Sequence, residues 1–264
     1  MKSVFLPVMS CLLVFCLSSA DAQPLIVEEE WTLIRTITFE NPIAAHYNPV
    51  DDCIYVACRN TDADGLYRID GTDFAVQIAS GTYLASVMID HQTGEIFSSD
   101  SYGGVIYRTL LGATGRETWV SGFHAGDDDP MGMDIAPADY AGDVIMPGEA
   151  LVVDGGYNGL DEIWLWSPSS SEGESLLHTD EGTLIEATDI VIGPDSIYLV
   201  DGGETSPGLI YLVGSGGTLT HVSTSEPLAD PCGITRDPEN GDLLILDQGD
   251  DRVVRIDPAT GDVS

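Results

Sequence analysis

Four aspartates, Asp100, Asp154, Asp201 and Asp247, each close a short apolar run: EIFSSD, ALVVD, SIYLVD and DLLILD. A carboxylate that recurs at one point of a repeated strand has two uses. It accepts backbone N–H bonds in the turn that follows, or it joins its copies in a ring that attracts a cation. The structural use is the expectation here. Asn60-Thr61-Asp62-Ala63-Asp64-Gly65 begins like a calcium loop, with oxygens at its first, third and fifth places and glycine at its sixth. Its ninth and twelfth places fall on Arg68 and Gly71, where such a loop needs oxygen donors. Asn60, Asp62 and Asp64 therefore promise a loose Ca2+ site at best. The run Asp127-Asp128-Asp129 reads as a solvated charge cluster in a loop.

Other chemistry is sparse. His46, His91, His124, His178 and His221 show no metal spacing, and no G-x-S-x-G elbow is present. They read as surface or turn histidines. Trp31, Trp119, Trp164 and Trp166 are expected to pack between structural units. Cys53 and Cys58 are too far apart along an extended strand to bridge each other. A bridge from either to Cys232 requires the first and last units of the fold to be neighbours. Acidic residues number 44 against 9 basic ones, a formal net charge of −35. Such a surface repels nucleic acid and anionic membranes and suits salty surroundings.

The chain opens with Lys2, an apolar run over Val4–Leu17, and Ala20-Asp21-Ala22. That is the pattern of a cleaved signal peptide over residues 1–22. It predicts a secreted, periplasmic or cell-surface protein, and no second apolar span predicts membrane insertion.

The elements that must position these residues repeat. Runs ending at 58, 100, 154, 201 and 247 are separated by 42, 54, 47 and 46 residues. Each is followed by a Gly- or Asp-rich loop and a further apolar strand: GLYRID, GVIYRT, DEIWLW, GLIYLV and DRVVRID. Turn chemistry precedes most of them, in Asn48–Asp51, His91–Gly94, Gly193–Asp195 and Asp237–Gly241. Three or four short strands per unit of this length predict an all-β protein, a β-propeller with five recognisable blade repeats. One such sheet cannot bury both apolar faces alone, whereas radial stacking buries each against the next. The units fall at about 43–82, 83–129, 130–182, 183–226 and 227–264. Trp31–Phe39 alternates as a strand should and offers a closing strand (31–39) for a five-bladed ring. The other reading is a truncated six-bladed propeller.

The last unit carries a family resemblance. Asp230-Pro-Cys-Gly-Ile through Asp247, continued by Asp251–Asp257, is similar to an NHL repeat: P-x-G-I, then D-x-x-G-x-x-Y-V-A-D, then N-x-R-I. The resemblance extends to the SMP-30 (gluconolactonase-like) six-bladed propellers, covers roughly Ile43–Asp257, and is weakest in the first two units. It implies a propeller whose lactonase members hold a divalent metal with Glu, Asn and Asp at the starts of the innermost strands. The residue between Pro and Gly is one such position. Aligning the units puts Ile43, Ala85, Met131, Glu186 and Cys232 there. Glu40, in Glu40-Asn41-Pro42, resembles the family's E-G-P ligand motif. The expectation is an exported, non-enzymatic scaffold for a protein, small-molecule or carbohydrate ligand. The alternative is a metal-dependent hydrolase or lactonase of the SMP-30 type, resting on Glu40 and Glu186.

Overall fold

The computed structural model describes residues 39, 41–59, 64–71, 75–81, 83–121, 130–155, 161–167, 175–179, 183–184, 186–202 and 207–264. Its strands form five antiparallel sheets, each a blade that runs outward in sequence order. Blade one is β1 (Pro42–Asn48), β2 (Cys53–Cys58), β3 (Gly65–Ile69) and β4 (Ala75–Ser80). Blade two is β5 (Leu84–Ile89), β6 (Ile96–Asp100), β7 (Val105–Thr109) and β8 (Glu117–Ser121). Blade three is β9 (Pro130–Ile135), β10 (Ala150–Asp154), β11 (Glu162–Trp166) and β12 (Ser175–Thr179). Blade four is β13 (Ala187–Ile192), β14 (Ile197–Asp201), β15 (Leu209–Gly214) and β16 (Thr218–His221). Blade five is β17 (Pro231–Arg236), β18 (Leu243–Asp247) and β19 (Arg252–Ile256).

The first strands β1, β5, β9, β13 and β17 pack one against the next in chain order, so they line the axis. This is a five-bladed propeller arrangement, as the repeat predicts. Each seam between successive blades holds its own apolar cluster. Tyr55 and Leu66 meet Val87 and Ile96 between blades one and two; Phe97 and Trp119 meet Val152 and Trp166 between two and three. Leu151 and Ile163 meet Ile190 and Leu199 next, and Val200 and Ile210 meet Ile245 and Val254 last. The second strands are buried on both sides, which explains the unbroken apolar runs of β10 and β14; in β6 Ser98 and Ser99 are enclosed as well. Ile163 is fully enclosed. Ile163→Val should cost about 1 kcal/mol in a urea melt, the usual loss for one buried methyl; no measurable loss would mean the seam is loosely packed.

The face of blade one opposite its seam with blade two carries a smaller cluster of Val56, Cys58 and Ile69, with Phe39 edge-on to Tyr67 at 5.6 Å. Val263 bridges to Ile256, where a fourth strand of blade five would start. The hairpin turns form as their residues dictate. Asp90 accepts the Gln92 N–H and the Thr93 hydroxyl, and Gly94 takes the positive φ of 76° that the turn needs. Arginines at one register position bind acids at the turns: Arg68 to Asp51, Arg108 to Glu95, and Arg255 to Asp237. Among the described residues, no helix is long and apolar enough to cross a membrane.

Candidate binding face of the propeller

Every first strand enters the axis through a bulge. The ladder slips between Pro42 and Ala44, Leu84 and Val87, Ala187 and Asp189, and Pro231 and Gly233, and opposite Val153–Asp154 in blade three. A bulge frees a residue from pairing and re-aims it. The residues freed here are Ile43, Ala85 with Ser86, Met131, Thr188 and Cys232. This corrects the fourth position. Ala187 pairs with Asp201 as Pro231 pairs with Asp247, so Thr188, not Glu186, matches the place between Pro and Gly. Glu186 lies before β13, exposed, with its N–H donated to Asp201 at 2.7 Å. Glu40 lies outside the described residues.

The strand-end aspartates are buried beneath this face. Asp247 accepts the N–H groups of Ala229 and Asp230 at 2.9 and 2.8 Å and the Arg252 guanidinium at 3.1 Å. Asp100 accepts the Gly103 N–H at 3.0 Å. Asp201 accepts Glu186 as above, and Asp154 is equally buried. These carboxylates hold the loops of their own blades. Of the calcium-like loop, Asn60 and Asp62 lie outside the described residues. The Asp64 carbonyl accepts the Gln77 amide at 2.8 Å. Among the described residues no group of three or more His, Cys, Asp or Glu side chains is placed to hold a metal. Cys53, Cys58 and Cys232 do not bridge one another.

Farther along the axis stand groups that the repeat pattern does not single out. Asp134 of β9 accepts the N–H of Ile135 at 2.8 Å and, across the seam, that of Ile192 at 2.7 Å. Asp189 of β13 does the same with Ile190 at 2.9 Å and Ile234 at 3.0 Å. Each carboxylate thus stitches one first strand to the next. Burial pushes their carboxyls up, to about 6 for Asp134 and about 7 for Asp189. His46, expected at the surface or in a turn, is part-enclosed within β1 and stacks edge-on to His91 at 5.3 Å. Burial holds both imidazoles below their usual range. The available signal was a charged residue inside an otherwise apolar strand, in PMGMDI and ATDIVI.

A second unforeseen feature lies at the strand-start face. A hydrogen bond repeats in four blades, from the residue after the second strand to the carbonyl of the residue before the first. It joins Arg59 to Asn41, Ser101 to Tyr83, Gly202 to Glu186, and Gln248 to Asp230. The position is thus Asn, Tyr, Glu or Asp. Only in blade two is it aromatic. Tyr83 sits there at φ 57°, a left-handed conformation that Asn41 adopts at φ 44°. For a bulky residue this conformation costs about 1–3 kcal/mol. Its ring stacks on Tyr102 with centroids 4.9 Å apart. Tyr102 is 81% exposed and Tyr83 43%. Tyr102 stands two residues past Asp100, where blades three, four and five have Gly156, Gly203 and Gly249.

No protein-family model matches this sequence, and no curated protein matches it. The NHL and SMP-30 resemblance rests on the residues quoted above. Solved propellers match the structure. A chain of the nidogen–laminin complex superposes with a TM-score of 0.67 at 17% identity, over 84% of this chain and 78% of that one. Virginiamycin B lyase from Staphylococcus aureus gives 0.59 at 13%, over 85% and 69%. An auxiliary nutrient binding protein from Bacteroides ovatus gives 0.62 at 10%, over 82% of this chain and 59% of that one. At these identities the likeness establishes the propeller fold and nothing finer.

Proposed function

We propose that this chain is an exported, non-enzymatic propeller that binds a partner on its strand-start face. The observation that carries the reading is the exposed Tyr83–Tyr102 stack, set where the other blades place polar residues and glycine. Exposed tyrosine offers a large, rigid contact surface at little entropic cost, and tyrosines are enriched among binding hot spots. The nidogen–laminin propeller belongs to a protein complex by its own description, and the Bacteroides ovatus propeller is described as nutrient-binding. Both descriptions are in keeping with a binding role.

The lactonase alternative needs oxygen donors converging at the bulged positions. A hard cation takes six to eight oxygens. Ile43, Ala85, Met131 and Cys232 offer none from their side chains. The side-chain oxygens there are the hydroxyls of Thr188, which donates to the Pro231 carbonyl at 3.1 Å, and of Ser86, too few for such an ion. The donor set does not fit such a metal. A thermal-shift series with calcium and zinc, run beside a lactone-hydrolysis screen, tests the reading. The expected result is neither a melting shift nor turnover. Metal-dependent turnover that disappears in Glu186→Gln would overturn it.

A further inference from the structure

The partner's chemistry follows from what surrounds the tyrosine stack. We propose that the strand-start face docks a basic protein segment, with a lysine or arginine cation seated on the Tyr83–Tyr102 platform; this rests on the binding-scaffold reading above. Three observations carry it.

First, the platform is presented to solvent rather than used in packing. Tyr102 is 81% exposed, and neither ring belongs to a seam cluster. Second, Tyr83 occupies one of a set of equivalent positions defined by the repeated hydrogen bond, and two of its counterparts are Glu186 and Asp230. The same face therefore carries aromatic and acidic groups at matched radial positions. Third, the whole chain carries a formal net charge of −35 and only 9 basic residues. Arg68, Arg108 and Arg255 bind acids of their own blades, and Arg236 binds Asp195 of the neighbouring one. A cation approaching this face meets attraction from the long-range field and from the ring quadrupoles. An anionic or nucleic-acid partner meets the opposite field.

Bulk negative charge alone would attract any basic peptide, so the test must separate the platform from the field. Salt screens the field within about 10 Å at 0.1 M and far more closely at higher concentration, but it weakens a close cation–π contact much less. The probe is a fluorescently labelled Lys/Arg-rich peptide, with a Gln-substituted peptide of equal length as control. Binding to the full-length chain is followed by anisotropy at low and at 0.5 M salt, roughly the level at which the long-range field is screened. The two variants take residue types found at equivalent positions: Tyr83→Asn, as at Asn41, and Tyr102→Gly, as at Gly249. The melting temperature is recorded for each.

The expected result is binding of the basic peptide alone. At high salt each variant weakens it by about tenfold, within the range known for cation–π contacts. Tyr83→Asn should melt no lower than the parent, because asparagine tolerates the left-handed φ, so lost binding there cannot be blamed on misfolding. Equal binding by parent and variants at high salt would overturn the proposal, since the attraction would then be field alone. So would a platform-dependent complex with the Gln peptide or a neutral oligosaccharide, although the scaffold reading would stand. No peptide binding at all sinks the basic partner, and only turnover in the lactone screen sinks the scaffold with it.

Discussion

Asp247→Ala is expected to remove about 3–4 kcal/mol of folding stability, counting roughly 1–3 kcal/mol for each buried donor left unpaired. The side chain of Asp247 is fully buried and anchors three donors from two directions. The Ala229 and Asp230 N–H groups tie the loop entering β17, and Arg252 ties the start of β19. Arg252 keeps Glu226 at 3.5 Å and Asp250 at 3.4 Å after the change, so most of the loss comes from the two backbone groups. Asp250→Ala removes only an exposed pairing and should change stability by less than about 0.5 kcal/mol. Asp100→Ala, with one bond to Gly103 shown, should fall between the two. Urea denaturation of the three variants checks the order. If Asp247→Ala costs under about 1 kcal/mol, the strand-end aspartates are not what holds these loops.

That order bears on how much of the molecule was legible beforehand. The blades were, because each unit repeats two local signals that need no tertiary knowledge. One is an apolar run ended by an Asp that finds its donors within the same unit. The other is a hairpin whose Asx turn and positive-φ glycine sit at fixed offsets. Trp119, Trp164 and Trp166 gather at one seam, as their size requires, and Trp31 lies outside the described residues. In blade four the bulged position does not follow from sequence spacing, for a geometric reason. Ile192 pairs with Ile197 across four intervening residues, whereas Arg236 pairs with Leu243 across six. Constant spacing from Asp201 therefore lands two residues early, on Glu186 instead of Thr188. The His46–His91 pair and the Asp134 and Asp189 stitches were hidden for another reason. Their partners lie in neighbouring blades, and one blade's sequence does not reveal what the next presents across the axis.

Those stitches make stability depend on pH in a way one substitution isolates. The Asp189 carboxyl ionises at 3.8 when unperturbed and near 7 in the folded chain, chiefly because burial disfavours its charge, despite the bonds from Ile234 and Ile190. A folded pKa above the unfolded one means the native state binds the proton more tightly. The advantage is therefore complete below about pH 4 and is lost as pH rises to about 7. Asp134, raised to about 6, acts in the same sense over a narrower window. His46 and His91 act oppositely, because their lowered values favour the folded state only once pH is high enough to keep both neutral. The wild-type profile mixes these trends, but the difference from Asp189→Asn does not. The amide keeps one of the two acceptor bonds at every pH and never ionises. Relative to wild type, Asp189→Asn should gain about 2–4 kcal/mol between pH 4 and pH 8, at about 1.4 kcal/mol per unit and reduced for water reaching the group from the axis. Chemical denaturation across that range, in salt high enough to screen the acidic surface, provides the measurement. Parallel profiles for the two proteins would mean that Asp189 ionises freely and carries no linkage between charge and ring packing.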